Sequence, residues 1–290
     1  MHAHEHAVTA LQARALITAQ MPDLAGLPLR RVGQAGTDNV LFRVGPALVA
    51  RFPRLPHAAA QIALMARWLP TLAPALPLAV PMATKFGNAG AGYPFQWSVL
   101  PWLAGRPAAL LPPFQIAAAL DLAHFLTALQ SCPISPDAPD RSKSHALSLR
   151  LSALEYQIDQ MADEGDPKPL LTLLTRSRAL PPPDGPKVWL HGDLYSLNLL
   201  TKRHKLTAVI DWGSMGVGDA AIDLSASWTL FDTPARAAFR RALNPDPATW
   251  ARARAYAFAK AVLAIPYYRT SNPDFSDVMR LTLRRVLDPD

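Results

Sequence analysis

The chain has 290 residues, half of them hydrophobic, a formal charge of +7 and one cysteine. That length exceeds one ordinary core, and the apolar content excludes a disordered chain even with 29 prolines. The lone thiol, Cys132, excludes an intrachain disulfide framework; placed where a helical pattern ends before Pro133, it reads as structural.

In chain order, "HAHEH" at 2–6 offers imidazoles that suit a transition metal, or else an unstructured terminus. Spacing predicts a helix over 7–20, closed by Pro22. Residues 29–54 shorten to "LRRV", "NVLFRV" and "ALVARF" around "GQAGTD" and "GP", an antiparallel meander. A helix over 57–69 and a strand in "GYPFQWSVLPWL" follow. Beyond about residue 97 the balance turns helical, with helices expected over 113–131, 146–162, 167–179, 219–231, 234–243, 248–265 and 274–286. One β-hairpin, "NLL" and "LTAVI" around "TKRHK", stands isolated among them. The expectation is an α+β, two-lobed chain: a sheet-rich N-terminal lobe over 1–97 and a larger helical lobe over 98–290.

No segment has the roughly 18 uninterrupted apolar residues of a membrane span, and the N-terminus lacks a signal-peptide pattern, so a cytoplasmic protein without a membrane partner is expected. Arginine outnumbers lysine 22 to 7, yet no more than two basic residues run together and aromatics do not alternate with them. The charge therefore reads as composition, without a nucleic-acid partner.

Chemistry concentrates in "WLHGDLYSLNLL" (189–200) and "DWG" (211–213). His191, Gly192 and Asp193, four residues, then Asn198, and after the hairpin Asp211-Trp212-Gly213, form H-G-D-x-x-x-x-N followed by D-W-G. The pair resembles the catalytic and metal loops of the aminoglycoside phosphotransferase and choline kinase-like family, relatives of protein kinases. "GDAAIDL" at 218–224 resembles a further family segment, with Ala220 in place of its proline. The resemblance covers about 30–290 and implies a bilobal protein kinase-like fold.

Phosphoryl transfer needs a carboxylate near the attacking hydroxyl and hard oxygen ligands for Mg²⁺. The resemblance gives Asp193 the role of base and Asn198 and Asp211 the metal, with His191, Asp219 and Asp223 as structural supports. The implied co-substrate is ATP or GTP. Its phosphates would meet Thr37 and Asn39 in "GQAGTDN", which also reads as a plain hairpin turn, and Arg51, standing where kinases carry a strand lysine. Its adenine would lie against backbone groups between Ser98, Leu100 and Trp102. The family's helix glutamate is replaced by Met65, and residues 57–70 hold no carboxylate. Arg51 then finds another partner, or the phosphates alone neutralise it, or nucleotide binding suffers; the second is favoured.

The function implied is an ATP-dependent phosphotransferase acting on a hydroxyl of a small molecule. The alternative is a catalytically silent nucleotide-binding module. Carboxylates for a polycationic acceptor exist, among them Glu155, Asp163, Glu164 and Asp277, but a less cationic acceptor is favoured because glutamate is scarce.

Overall fold

The structure, a computed structural model, describes residues 5–33, 38–108, 116–203 and 205–288. The chain divides into two units, one of Met1–Pro74, Leu78–Gly105 and Ala208–Ser214, the other of Ala75–Pro77, Arg106–Thr207 and Met215–Asp290.

The first unit opens with α1 (Ala10–Gln20), started by Thr9, whose hydroxyl accepts the Gln12 N–H at 3.1 Å. Strands β1 (Leu29–Arg31), β2 (Asn39–Val44), β3 (Leu48–Pro53), β4 (Lys85–Gly87) and β5 (Trp97–Pro101) form one antiparallel sheet in the order β1-β2-β3-β5-β4. Helix α2 (Pro56–Leu72) follows β3, with Pro56 at its first position, where the missing N–H costs nothing. Alternation in β2 buries Val40, Phe42 and Val44. They join Leu16 and Ile17 of α1, Phe52, Tyr93 and Trp97 in one core, where the Phe52 and Trp97 rings stack at 4.8 Å.

Gly87 is fixed by that core. A Cβ there would lie 2.1 Å from the Trp97 ring, which is fully buried and donates its indole N–H to Asn88 O. Gly87→Ala is expected to destabilise the protein by about 2–3 kcal/mol through overpacking, read as a lower urea midpoint at unchanged m-value.

The second unit contains β6 (Arg106–Pro107), α3 (Ile116–Gln130), α4 (Leu147–Leu151), α5 (Leu154–Asp159), α6 (Lys168–Arg178), β7 (Val188–Leu190), β8 (Leu199–Lys202), the first three residues of β9 (Lys205–Val209), β10 (Gly216–Gly218), α7 (Ala221–Leu224), α8 (Ala226–Leu230), α9 (Thr233–Leu243), α10 (Pro247–Tyr268) and α11 (Pro273–Leu287). The last three helices start alike: Asp232, Asp246 and Asn272 accept N–H groups of the first turn, each with a proline at the helix start.

Four local expectations need correction. The helix expected over 146–162 is broken into α4 and α5, with Ser152 Oγ bonded back to Leu149 O at 2.7 Å. The helix expected over 219–231 is likewise split into α7 and α8, beside a Ser225 Oγ bond to Ile222 O. The hairpin is not isolated, because β6 pairs with β8, and β7 pairs instead with β10. Glu5 and His6 are held rather than loose: Glu5 pairs with Arg54 and the His6 N–H donates to Arg54 O. Residues 2–4 lie outside the described set. Among the described residues no helix is long and apolar enough to cross a membrane.

Candidate active site

The segment 191–198 is held from both ends. After the buried pair Trp189 and Leu190, Gly192 turns the chain at φ +86°. The fully buried Asp223 carboxylate accepts the His191 N–H at 2.7 Å and the Gly192 N–H at 2.9 Å. His191, also fully buried, takes the Asp193 N–H on Nδ1 at 3.3 Å. At the far end Asn198 donates its amide N–H to Asp193 O at 2.9 Å, which turns its amide oxygen to any cation it meets. Burial pushes the Asp223 carboxyl above its usual range, against the opposing pull of His191 and the two N–H groups. Asp219 lies at the entry to α7, where its carboxylate accepts the Ala221 N–H and forms a buried ion pair with Arg252 of α10 at 2.8 Å.

Asp193 is the half-exposed carboxylate of this loop, and a second residue reaches it. Lys260 of α10 donates to its Oδ1 at 2.9 Å while standing 4.7 Å from the centroid of the Tyr195 ring. Partial burial would raise the Asp193 carboxyl, but the Lys260 ammonium, helped by His191 and Arg150, outweighs it and holds the group below the ordinary carboxylate range. Sequence reasoning missed Lys260, which lies 67 residues away. A signal was present: in "AYAFAKAVLAI" it is the one charge in an otherwise apolar helical run, a placement that calls for a partner. His145 adds a neutral group nearby, since burial and the cations Arg150 and Arg141 push its pKa down to about 4.

The remaining expected residues fall in the first unit. Arg51 on β3 is buried, and burial lowers its pKa against the pull of Asp211 and Asp38. It has protein partners, which corrects the expectation that phosphates alone neutralise it. Its guanidinium donates to Met65 Sδ at 3.1 Å and Gln61 Oε1 at 3.2 Å and lies 3.7 Å from Asp211 Oδ1. Asp211 itself takes φ +64° and leaves half of its side chain exposed, while Trp212 behind it is buried and donates to Val209 O. Gly213 lets Gln61 in; a Cβ there would come within 2.4 Å of the Gln61 amide.

Asn39 starts β2, and its side-chain oxygen is buried with no hydrogen-bond partner among the described residues. Thr37, with residues 34–36, lies outside them. Ser98 and Leu100 sit opposite Arg51 and Val49 across the β5–β3 ladder, so their backbone groups serve the sheet. Val99 turns the other way, accepting the Thr84 N–H, and Trp102 donates back to Ala47. By this alternation the groups facing the β4 edge beyond its end belong to Pro101 and Leu103.

Asn198 in the second unit and Asp211 in the first each carry a hard oxygen donor. Among the described residues no group of three His, Cys, Asp or Glu suits a transition metal. A cavity of about 1030 Å³ in the second unit is lined by Pro181, Asp219, Arg252 and Tyr256 among others but not by Asp193, so it is separate from this loop.

A family model described as the phosphotransferase enzyme family matches residues 29–256, and the chain belongs to that family. Its fold is protein kinase-like. It is similar to that of the GDP and kanamycin complex of APH(2")-IIia, at 20% identity over 95% of this chain and 98% of that one, with a TM-score of 0.75. ADP-bound aminoglycoside phosphotransferase APH(2'')-Ib matches at 17% identity over 96% and 99%, with a TM-score of 0.62. Macrolide 2'-phosphotransferase MphH from Brachybacterium faecium matches at 22% identity over 95% and 99%, also at 0.62. None of the curated proteins compared matches the chain.

Proposed function

We infer that the protein transfers the γ-phosphoryl group of ATP or GTP to a hydroxyl of a small molecule. The observation that carries this reading is the loop 191–198. Its backbone is fixed by Asp223 and Asn198, while its one half-exposed carboxylate, Asp193, is held ionised beside an ammonium. A carboxylate so placed accepts the proton of an acceptor hydroxyl as its oxygen bonds to the γ-phosphorus. The bond from that phosphorus to the bridging oxygen breaks, and the nucleoside diphosphate leaves with the electron pair.

Asn198 and Asp211 are the residues whose oxygens would ligate Mg²⁺, which when bound neutralises phosphate charge. Arg51 would meet the phosphates with its planar fork, and Asn39 at the start of β2 would offer them its amide N–H. The base would be read by the Pro101 carbonyl and the Leu103 N–H, because Pro101 has no N–H to give. GDP and ADP in the relatives' complexes support a purine nucleotide without choosing between the two.

The test is Mg²⁺-dependent release of ADP or GDP across a library of small alcohols. Acceptor-stimulated turnover supports the reading, whereas nucleotide binding without turnover supports a silent module. Asp211→Ala is expected to weaken Mg-nucleotide binding at least about tenfold, since a ligand is lost and the buried Arg51 loses its nearest carboxylate; titration calorimetry with and without Mg²⁺ checks it.

A further inference from the structure

We propose that Lys260 and the aromatic run beside it select the acceptor, admitting a neutral or anionic alcohol with an apolar face and excluding one that carries an ammonium next to its reacting hydroxyl. This rests on Asp193 being the base of the proposed transfer.

The first observation is position. Lys260 Nζ lies 2.9 Å from Asp193 Oδ1, so any hydroxyl brought to that carboxylate arrives within a few ångströms of a fixed positive charge. An ammonium on the carbon next to that hydroxyl would face like charge at close range, a repulsive element that discriminates without any attractive contact. Arg150 adds to the same field at Asp193. Asp193 itself balances the Lys260 charge, so Arg150 leaves the surroundings of the pair net positive, and the next carboxylate, Asp223, is fully buried and engaged with the His191 and Gly192 N–H groups.

Five carboxylates elsewhere in this unit that would suit a polycation are paired with internal cations. Glu164 pairs with Arg269 and Arg280, Asp163 with Arg269, Asp277 with Arg280, Glu155 with Arg178 and Asp140 with Lys187. Glu155, Asp163, Glu164 and Asp277, four of the acids that sequence offered to a cationic acceptor, thus each have an internal cation beside them.

The third observation is an edge-to-face series of rings leading away from Lys260. Tyr195 meets Phe275 at 5.4 Å, Phe275 meets Tyr268 at 5.0 Å, and Tyr268 meets the exposed Tyr267 at 4.8 Å. Such a series offers apolar area with polar tips, a surface for a hydrophobic or ring-bearing compound more than for a small polyol.

Three phenyl alcohols differing in charge test this by binding alone: 3-phenyllactate (anionic), 3-phenylpropane-1,2-diol (neutral) and phenylalaninol (cationic). Affinities are measured by ligand-observed NMR on the full-length protein, without nucleotide. Wild type is expected to bind the anion and the diol at least about tenfold more tightly than the amine, Lys260→Arg to keep that order, and Lys260→Glu to reverse it. Equal or tighter binding of the amine by wild type, an order unchanged in Lys260→Glu, or no binding of any of the three overturns the proposal. Thermal melts of both variants identify a folding failure, in which case the wild-type order alone decides. Because no turnover is needed, this binding order stands even if phosphate transfer is absent, and a phosphotransferase that prefers the amine refutes the selection while keeping the transfer.

Discussion

Asp193→Asn is expected to lower phosphate transfer by about 10²–10⁴-fold while nucleotide affinity stays near that of the wild type. The amide keeps the shape of the carboxylate but cannot take the acceptor's proton. The loop survives the change because its anchors are elsewhere: Asn198 bonds the Asp193 backbone carbonyl, and Asp223 holds the two preceding N–H groups. The substitution also releases Lys260 from its ion pair, and a released ammonium does not repel phosphates. Steady-state rates with the acceptor found by library screening, set beside nucleotide binding by calorimetry, separate the two effects. Turnover equal to wild type would remove Asp193 from the role of base.

Asp223→Ala is expected to cost about 2–4 kcal/mol of stability, the largest single loss in the loop. Two backbone N–H groups, that of the buried His191 and that of the partly buried Gly192, lose their acceptor, at ~1–3 kcal/mol each. The cost lies towards the lower end because removing a carboxylate whose burial already disfavours its charge returns part of that penalty. A chain of this size would show it as a fall of roughly 5–10 °C in Tm. Activity should fall further than the melting point suggests, since the same two N–H groups set the turn that presents Asp193. A variant with wild-type melting would mean that the loop is held by other contacts.

Much of this site was legible because its chemistry is local in sequence. Asp193 and Asn198 are five residues apart, entered through the left-handed Gly192 and joined by a short 3-10 segment at Ser196–Asn198. The sheet of the first unit was legible for a similar reason, since β2 alternates and β3 is apolar but for Arg51. What was not legible depends on partners far along the chain. Lys260 gains meaning only when α10 is laid against the loop, and Met65 reads as a missing acid until Gln61 and Asp211 are seen around Arg51. Strands β6 and β10, of two and three residues, are too short for any periodicity to register. The breaks at Ser152 and Ser225 arise from hydroxyls bonding back to carbonyls, a choice that an apolar stripe does not encode.

Helix α10 divides its work along its length. Arg252 near its start is locked to Asp219, and Lys260 lies eight residues on, about 12 Å along the axis. Pro266 then removes one backbone donor from the last turns, where Tyr267 and Tyr268 extend the aromatic run. The ladder is therefore weakest on the stretch that would touch the acceptor and intact where it steadies the segment leading to Asp223. Substitutions beyond Pro266 are accordingly expected to leave the Arg252–Asp219 and Lys260–Asp193 pairs in place.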